Sequence, residues 1–181
     1  EHEVKRLASE GKTCVLVVVE GQVIGLLAFT DVPRVSAGDA IANLKAMGLR
    51  IGMITGDNEN TAHAVGNTLG IDHILAGVLP ADKANEIRKL QAQGQVVAMV
   101  GDGINDAPAL TQADVGIAMG AIGSDIAIES ADIALMREDW SSIPEVFAIA
   151  NRTMRVVRMN LVFTGVFNVV GRGVLPLSTV L

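Results

Sequence analysis

The sequence predicts an α/β fold with a parallel sheet, and three observations predict it. Short apolar runs alternate with helix-patterned segments along most of the 181 residues. Two of those runs, Ile51 to Ile54 and Val96 to Val100, end in loops broken by glycine and rich in oxygen-bearing side chains. Each loop follows the C-terminal end of its strand, and in an open parallel sheet that edge is where ligands bind.

In chain order, Glu3 to Ser9 has a helical pattern, and Cys14 to Glu20 and Val23 to Phe29 read as two strands joined at Gly21-Gln22, a hairpin signal. Asp31-Val32-Pro33 breaks the pattern, because proline lacks the donor that an element interior needs. Helix-patterned segments follow at about Ala37 to Met47, Glu59 to Leu69, Lys83 to Gln93 and Asn105 to Gln112. The strands expected among and after them are Arg50 to Thr55, His73 to Leu75, Val96 to Val100, Val115 to Ala118 and Ile133 to Leu135. A last helix reads from Ser141 through Arg158.

The chemistry concentrates in three places. Gly101-Asp102-Gly103-Ile104-Asn105-Asp106-Ala107-Pro108 sets two carboxylates four apart on a glycine-broken loop, a spacing that aims both at one hard cation such as Mg²⁺. Pro108 suits the first turn of the helix that follows. Taken alone, the same residues also suit a plain strand-to-helix turn with Asp and Asn as caps. Thr55-Gly56-Asp57-Asn58 ends another apolar run before a helix and offers a hydroxyl and backbone N–H groups to a phosphate. Lys83, in Leu79-Pro80-Ala81-Asp82-Lys83, stands in the first turn of a helix, where the dipole opposes a cation; an anion to hold explains it better than a local structural role.

Strand-Thr-Gly-Asp, helix-Lys and strand-Gly-Asp-Gly-x-Asn-Asp, in that order, resemble the haloacid dehalogenase superfamily. The wording of each motif resembles its P-type ATPase branch, most of all the heavy-metal-transporting pumps. The likeness takes in Gly25 to Arg34, Met53 to Asn58, Leu79 to Lys83, Val100 to Leu110 and Ala113 to Gly120. It implies a haloacid-dehalogenase-like Rossmannoid parallel sheet over residues 31–140. A hairpin remnant of a nucleotide-binding domain would precede it at 1–30, and a linker helix leading into a partial transmembrane segment would follow at 141–181. The implied reaction is in-line transfer of a phosphoryl group from ATP to an aspartate, then hydrolysis, in which charge neutralisation and positioning count for more than covalent help from the protein. On this resemblance Asp102 and Asp106 are Mg²⁺ ligands, Lys83 neutralises the phosphoryl oxygens, Thr55 and Gly56 hydrogen-bond them, and Asn105 orients the group. Asp57, Gly101 and Gly103 fall on the nucleotide and phosphate side, and Asp31 and Arg34 take supporting places near the hinge.

The phosphorylated aspartate of those pumps opens an Asp-Lys-Thr-Gly-Thr motif, and no such string occurs between Glu1 and Leu181. The chain therefore reads as a C-terminal piece of a pump, inactive alone. In the superfamily the nucleophile's strand lies between the strands ending at Thr55 and Gly101. The expectation is a sheet that lacks it, either split at that gap or closed by direct pairing of the two neighbours. Two other readings stay open. One is a free-standing phosphatase with Asp31 as nucleophile, although Pro33 stands where a general acid is usual. The other is a non-catalytic phosphate-binding module.

Composition bounds the remaining classes. A net charge of −6, no Tyr and 3% aromatic residues leave neither a basic stripe nor a stacking platform for nucleic acid. The lone Cys14 has no partner for an internal disulfide and suits a small buried hydrophobe. His2, His63 and His73 make no metal-ligand pattern. From Met159 to Leu181 the one charge is Arg172, and Arg152, Arg155 and Arg158 come just before. That segment is long enough to span a bilayer with the arginines on the cytoplasmic side, whereas Asn160, Asn168, Gly171, Gly173 and Pro176 suit an amphipathic or buried helix. On the resemblance it enters the membrane of a multi-pass pump, bacterial inner or plasma membrane, with residues 1–158 cytoplasmic. Asn160 and Phe167-Asn168 resemble the Asn and Tyr-Asn positions of copper-type pumps, with Phe167 in place of tyrosine and with Arg172 and Pro176 departing from the usual apolar continuation. The implied cargo is a heavy-metal cation, copper favoured.

Overall fold

The computed structural model describes residues 2–9, 11–29, 33–103 and 105–174. Asp31, the alternative nucleophile, lies outside them. The chain forms two compact units, Glu1–Ser141 and Ser142–Leu181.

The first unit opens with α1 (His2–Ser9) and an antiparallel hairpin of β1 (Thr13–Val19) and β2 (Gln22–Phe29). Its two loop residues are Glu20 and Gly21, with φ of 50° and 81°. The expected turn at Gly21-Gln22 thus sits one residue earlier, because a two-residue hairpin loop of the twist-matching kind needs positive φ at both positions. The pairing shifts register between Val17 and Val18.

The alternating elements follow: α2 (Val35–Ala46), β3 (Gly52–Ile54), α3 (Glu59–Leu69), β4 (His73–Leu75), α4 (Pro80–Ala92), β5 (Ala98–Gly101), α5 (Ala107–Gln112), β6 (Val115–Met119), α6 (Asp125–Ser130) and β7 (Ile133–Leu135). Local chemistry sets their ends. Asn58 caps α3 by accepting the Thr61 amide at 3.1 Å, and Gly70 stops it in the left-handed region at φ 68°. Pro80 opens α4, where its missing donor costs nothing. Ser124 caps α6 by accepting the Ala127 amide at 3.2 Å. Six residues are too few for a helical period to show, so α6 was not expected from sequence.

All strand pairs after the hairpin are parallel, in the orders β3-β4 and β5-β6-β7. Among the described residues β3 and β5 do not pair with each other. The sheet is split between the strands that lead to Thr55 and Gly101, the first of the two outcomes expected. Leu110, Ala118, Ala121 and Ala127 form a buried cluster with Met99, Ala131 and Ala134 packed against it. Its small side chains let α6 approach β6 closely, directly beneath the loop that follows β5.

The second unit is α7 (Ser142–Val174), one helix of 33 residues. The shift in composition at Met159 does not interrupt it, because no proline falls between Pro144 and Pro176. Among the described residues no helix is long and apolar enough to cross a membrane. The expected partial transmembrane segment runs on past Val174 into residues 175–181, outside the described ones, and within its described part Asn160, Asn168 and Arg172 interrupt the apolar run.

Candidate functional site

Lys83 and Asp106 belong to separate motifs and meet in space. Lys83 Nζ donates to Asp106 Oδ1 at 2.6 Å, and each side chain is 14% exposed. The cation that the dipole of α4 opposes thus finds its counter-charge at the head of α5. Three bonds two turns further along hold α4 against α5. Gln112 Nε2 donates to Gln91 Oε1 at 2.9 Å, Gln91 Nε2 to the Gln112 carbonyl at 3.1 Å, and Arg88 Nε to Gln112 Oε1 at 2.8 Å. Ile87, four residues after Lys83 and so on the same helical face, is fully buried.

The loop that carries Asp106 needs its glycines. A Cβ on Gly101 would lie 2.7 Å from Asp106 Oδ2, so glycine alone lets the carboxylate fold back over the strand end. Gly103 has φ +80°, and a Cβ there would lie 2.6 Å from Ala127 Cα. Asp102 is exposed, and its Oδ1 accepts the Asn105 amide at 3.2 Å. The helix expected from Asn105 begins at Ala107 instead, with Asp106 at the N-cap position and its carboxylate turned to Lys83 rather than to an amide. Among the described residues no group of three His, Cys, Asp or Glu could hold a metal ion. Two carboxylates without a cage or a thiolate are a donor set that suits Mg²⁺, which keeps waters and takes phosphate oxygens for the rest of its octahedron.

At the end of β3, Thr55 Oγ1 donates to Asp57 Oδ2 at 2.7 Å and accepts from the Asp57 amide at 3.1 Å. Backbone bonds cross from this loop to the one that enters α4. The Val78 amide donates to the Thr55 carbonyl at 3.0 Å and the Gly77 amide to the Asp57 carbonyl at 2.8 Å. The Thr-Gly-Asp loop is therefore stitched to the segment that starts the Lys83 helix, and Lys83 is paired with the Asp106 loop. Gly56 differs from the other motif glycines. Its φ is not positive, and a Cβ would meet only the Val78 carbonyl, at an ordinary 3.6 Å, so packing does not demand glycine there.

A family model of haloacid dehalogenase-like hydrolases matches residues 1–114. The chain belongs to the haloacid dehalogenase-like hydrolase family. Its sequence is 44% identical over 171 residues to a copper-exporting P-type ATPase of Staphylococcus haemolyticus, covering 94% of this chain and 21% of that protein. It is 45% identical over 170 residues to a probable copper-exporting P-type ATPase of Archaeoglobus fulgidus, again covering 94% of this chain and 21% of the relative. The chain thus spans about a fifth of the length of these relatives. Its fold matches a zinc-transporting PIB-type ATPase in an E2.Pi state with TM-score 0.78 and 41% identity, over 93% of this chain and 28% of the other. It also matches the catalytic CPx-ATPase domain CopB-B with TM-score 0.61 and 37% identity, over 72% of this chain and 52% of that one.

Several contacts around the site of this haloacid dehalogenase-like chain join residues whose partners the sequence did not announce. Asp114 Oδ2 accepts the Val97 amide at 2.8 Å and Gln91 Nε2 at 3.2 Å, and these bonds, Val97's first, hold its carboxyl below the usual carboxylate range. Asp132 Oδ2 accepts the Gly116 amide at 2.8 Å and so ties the start of β6 to the approach to β7. Arg34 donates through Nη1 to the Glu138 carbonyl at 2.8 Å and pairs through Nη2 with the Glu138 carboxylate. An aspartate just before a strand is the one sequence signal that these first two share.

Proposed function

We propose that this chain supplies the Mg²⁺- and phosphate-binding half of the catalytic domain of an ATP-driven, membrane-bound heavy-metal pump that works through an aspartyl-phosphate, with copper as the favoured cargo. The contact between Lys83 and Asp106 supports this most. It joins the two motifs whose charges must act on one phosphoryl group, in a site where each side chain is largely removed from water. The kinship with copper-exporting ATPases points the same way.

In this reading Asp102 and Asp106 hold Mg²⁺, which supplies charge neutralisation at the transferring phosphoryl group. Lys83 exchanges Asp106 for phosphoryl oxygens as substrate arrives, Thr55 and the Gly56 amide donate to the same oxygens, and Asn105 orients them. Gly101 and Gly103 keep the loop open to ATP phosphates, and Asp57 holds the Thr55 hydroxyl in place. Gly56 then gains the reason that packing withholds, since a phosphate against its amide leaves no room for a side chain. The gap between β3 and β5 suits the strand that would carry the phosphorylated aspartate. Residues 1–30 would complete a nucleotide-binding domain, and residues 1–158 would face the cytoplasm.

The test is phosphorylation from labelled ATP in a complete pump built on this chain. Asp102→Asn should abolish the Mg²⁺-dependent acylphosphate, while Asp139→Asn, whose carboxylate accepts from the Ser141 amide and hydroxyl, should leave it intact. Near-normal phosphorylation of the Asp102→Asn pump would reduce the loop to a structural turn. The chain alone should form no acylphosphate, and an alkali-labile band lost in Asp31→Asn would replace this reading with the phosphatase one.

A further inference from the structure

The bond between Lys83 and Asp106 is one end of a longer seam. α4 and α5 run side by side in the same direction, since Lys83 meets the head of α5 and Gln91, eight residues on, meets Gln112 at its foot. Lys83, Ile87 and Gln91 fall within an arc of about 80° at 100° per residue, so one face of α4 carries all three. On each helix a fully buried residue, Ile87 or Ala109, separates the two polar ends. That apolar middle resists separation, but burial is non-directional and leaves a helix able to turn about its axis.

The far end of the seam opposes such a turn. Arg88 Nε donates to Gln112 Oε1 at 2.8 Å, which leaves Gln112 Nε2 to donate to Gln91 Oε1 at 2.9 Å. Gln91 Nε2 is thereby turned to Asp114 Oδ2 at 3.2 Å and to the Gln112 carbonyl at 3.1 Å. The guanidinium at one end demands an amide oxygen and the carboxylate at the other demands an amide N–H, so neither glutamine can flip without setting like against like. Arg88 is itself held nearer to Lys83, donating through Nη1 to Asn85 Oδ1 at 2.6 Å. A side chain reaches about 6 Å from its helix axis, so turning α4 by about 20° would carry its tip about 2 Å, enough to break a hydrogen bond.

We infer that Gln91 and Gln112 are positioning residues for Lys83: the amide relay between Arg88 and Asp114 fixes the rotation of α4 against α5 and holds the ammonium where it can pass from Asp106 to a phosphoryl group. Gln91 stands about 12 Å along α4 from Lys83 and acts only through it. The inference rests on the phosphoryl-site reading for what Lys83 does, and on the relay for how it is placed.

The experiment is the double-mutant cycle of Lys83→Met and Asp106→Asn, read by urea unfolding of the full 181-residue chain in several backgrounds. In the unaltered background the coupling should be on the order of tenfold in the unfolding constant. With Gln112→Met, which keeps the length of the side chain and removes its amide, the coupling should fall below about twofold, and Gln91→Met should do the same. Thr61→Val is the control: its hydroxyl donates to the Gly11 carbonyl, away from the seam, so its loss should lower stability and leave the coupling whole. In a complete pump, Gln112→Met should slow acylphosphate formation by at least about tenfold with KM for ATP unchanged, because Lys83 acts on the transferring group. Undiminished coupling in both Met variants, an equal fall in Thr61→Val, or a normal rate of phosphorylation in Gln112→Met would overturn the inference. Unchanged coupling strikes only the relay, whereas a pump indifferent to Asp102→Asn strikes the phosphoryl-site reading, so the two failures are distinct.

Discussion

Replacing Lys83 by Met tests the joint between two motifs directly. The substitution keeps the aliphatic stem and removes the ammonium that lies 2.6 Å from Asp106 Oδ1. Removing one partner of a fully buried pair costs about 3–5 kcal/mol, and of an exposed pair about 0–1 kcal/mol. With both side chains 14% exposed, this pair lies nearer the buried limit. We expect Lys83→Met to lower stability by about 2 kcal/mol, and a double-mutant cycle with Asp106→Asn to show about 1.5 kcal/mol of coupling. Urea unfolding reads this out through the single tryptophan, Trp140. Mg²⁺ then separates a structural pair from a metal site. With Lys83 gone, Mg²⁺ at ten times its Kd should restore about 1.4 kcal/mol by taking over the charge on Asp106, and Asp102→Asn should remove that rescue. Coupling below about 0.5 kcal/mol, or no recovery with Mg²⁺, would refute the assignment of Asp106 to both the lysine and the metal.

Three other outcomes follow from the same structure. Gly103→Ala should destabilise the chain by more than about 2 kcal/mol, since it combines a left-handed φ with a collision against the backbone of α6; urea unfolding would show an unchanged midpoint if the loop can move aside. Thr61→Val keeps its shape but leaves the Gly11 carbonyl without the buried hydroxyl that donates to it at 3.2 Å, at a cost of about 1–3 kcal/mol. Hydrogen exchange should then quicken in α1 and β1 before α5 and β6, and a uniform change would contradict the local role. Asp114 has a carboxyl held below its ordinary value of 3.8, so its contribution is present above that value and fades as pH falls through the lowered one. The difference in urea midpoint between the unaltered chain and Asp114→Asn should therefore be constant from about pH 7 to about pH 5 and shrink below about pH 4; a difference that grows on acidification would reverse the sign.

Legibility in the sequence followed how local each cause is. The strands His73–Leu75 and Ile133–Leu135 and the helix Glu59–Leu69 appear at the expected residues, because apolar period and an Asn or Gly cap act within a few positions. The encounter of Lys83 with Asp106 was foreseeable only from the order of motifs, since the two sit 23 residues apart. Backbone stitches such as Val78 to Thr55 left no trace, for any residue but proline supplies an amide. The continuity of α7 was missed because charge and hydropathy changed where the backbone did not.

The bonds from Arg34 to Glu138 bring the start of α2 and the stretch just before α7 to one point, although they are 104 residues apart in sequence. Everything between them is a closed loop of folded chain. The guanidinium grips both the carbonyl and the carboxylate of Glu138, whose side chain lies close over Gly120. Because both side chains are more than half exposed, that closure adds at most about 1 kcal/mol and weakens as salt is added.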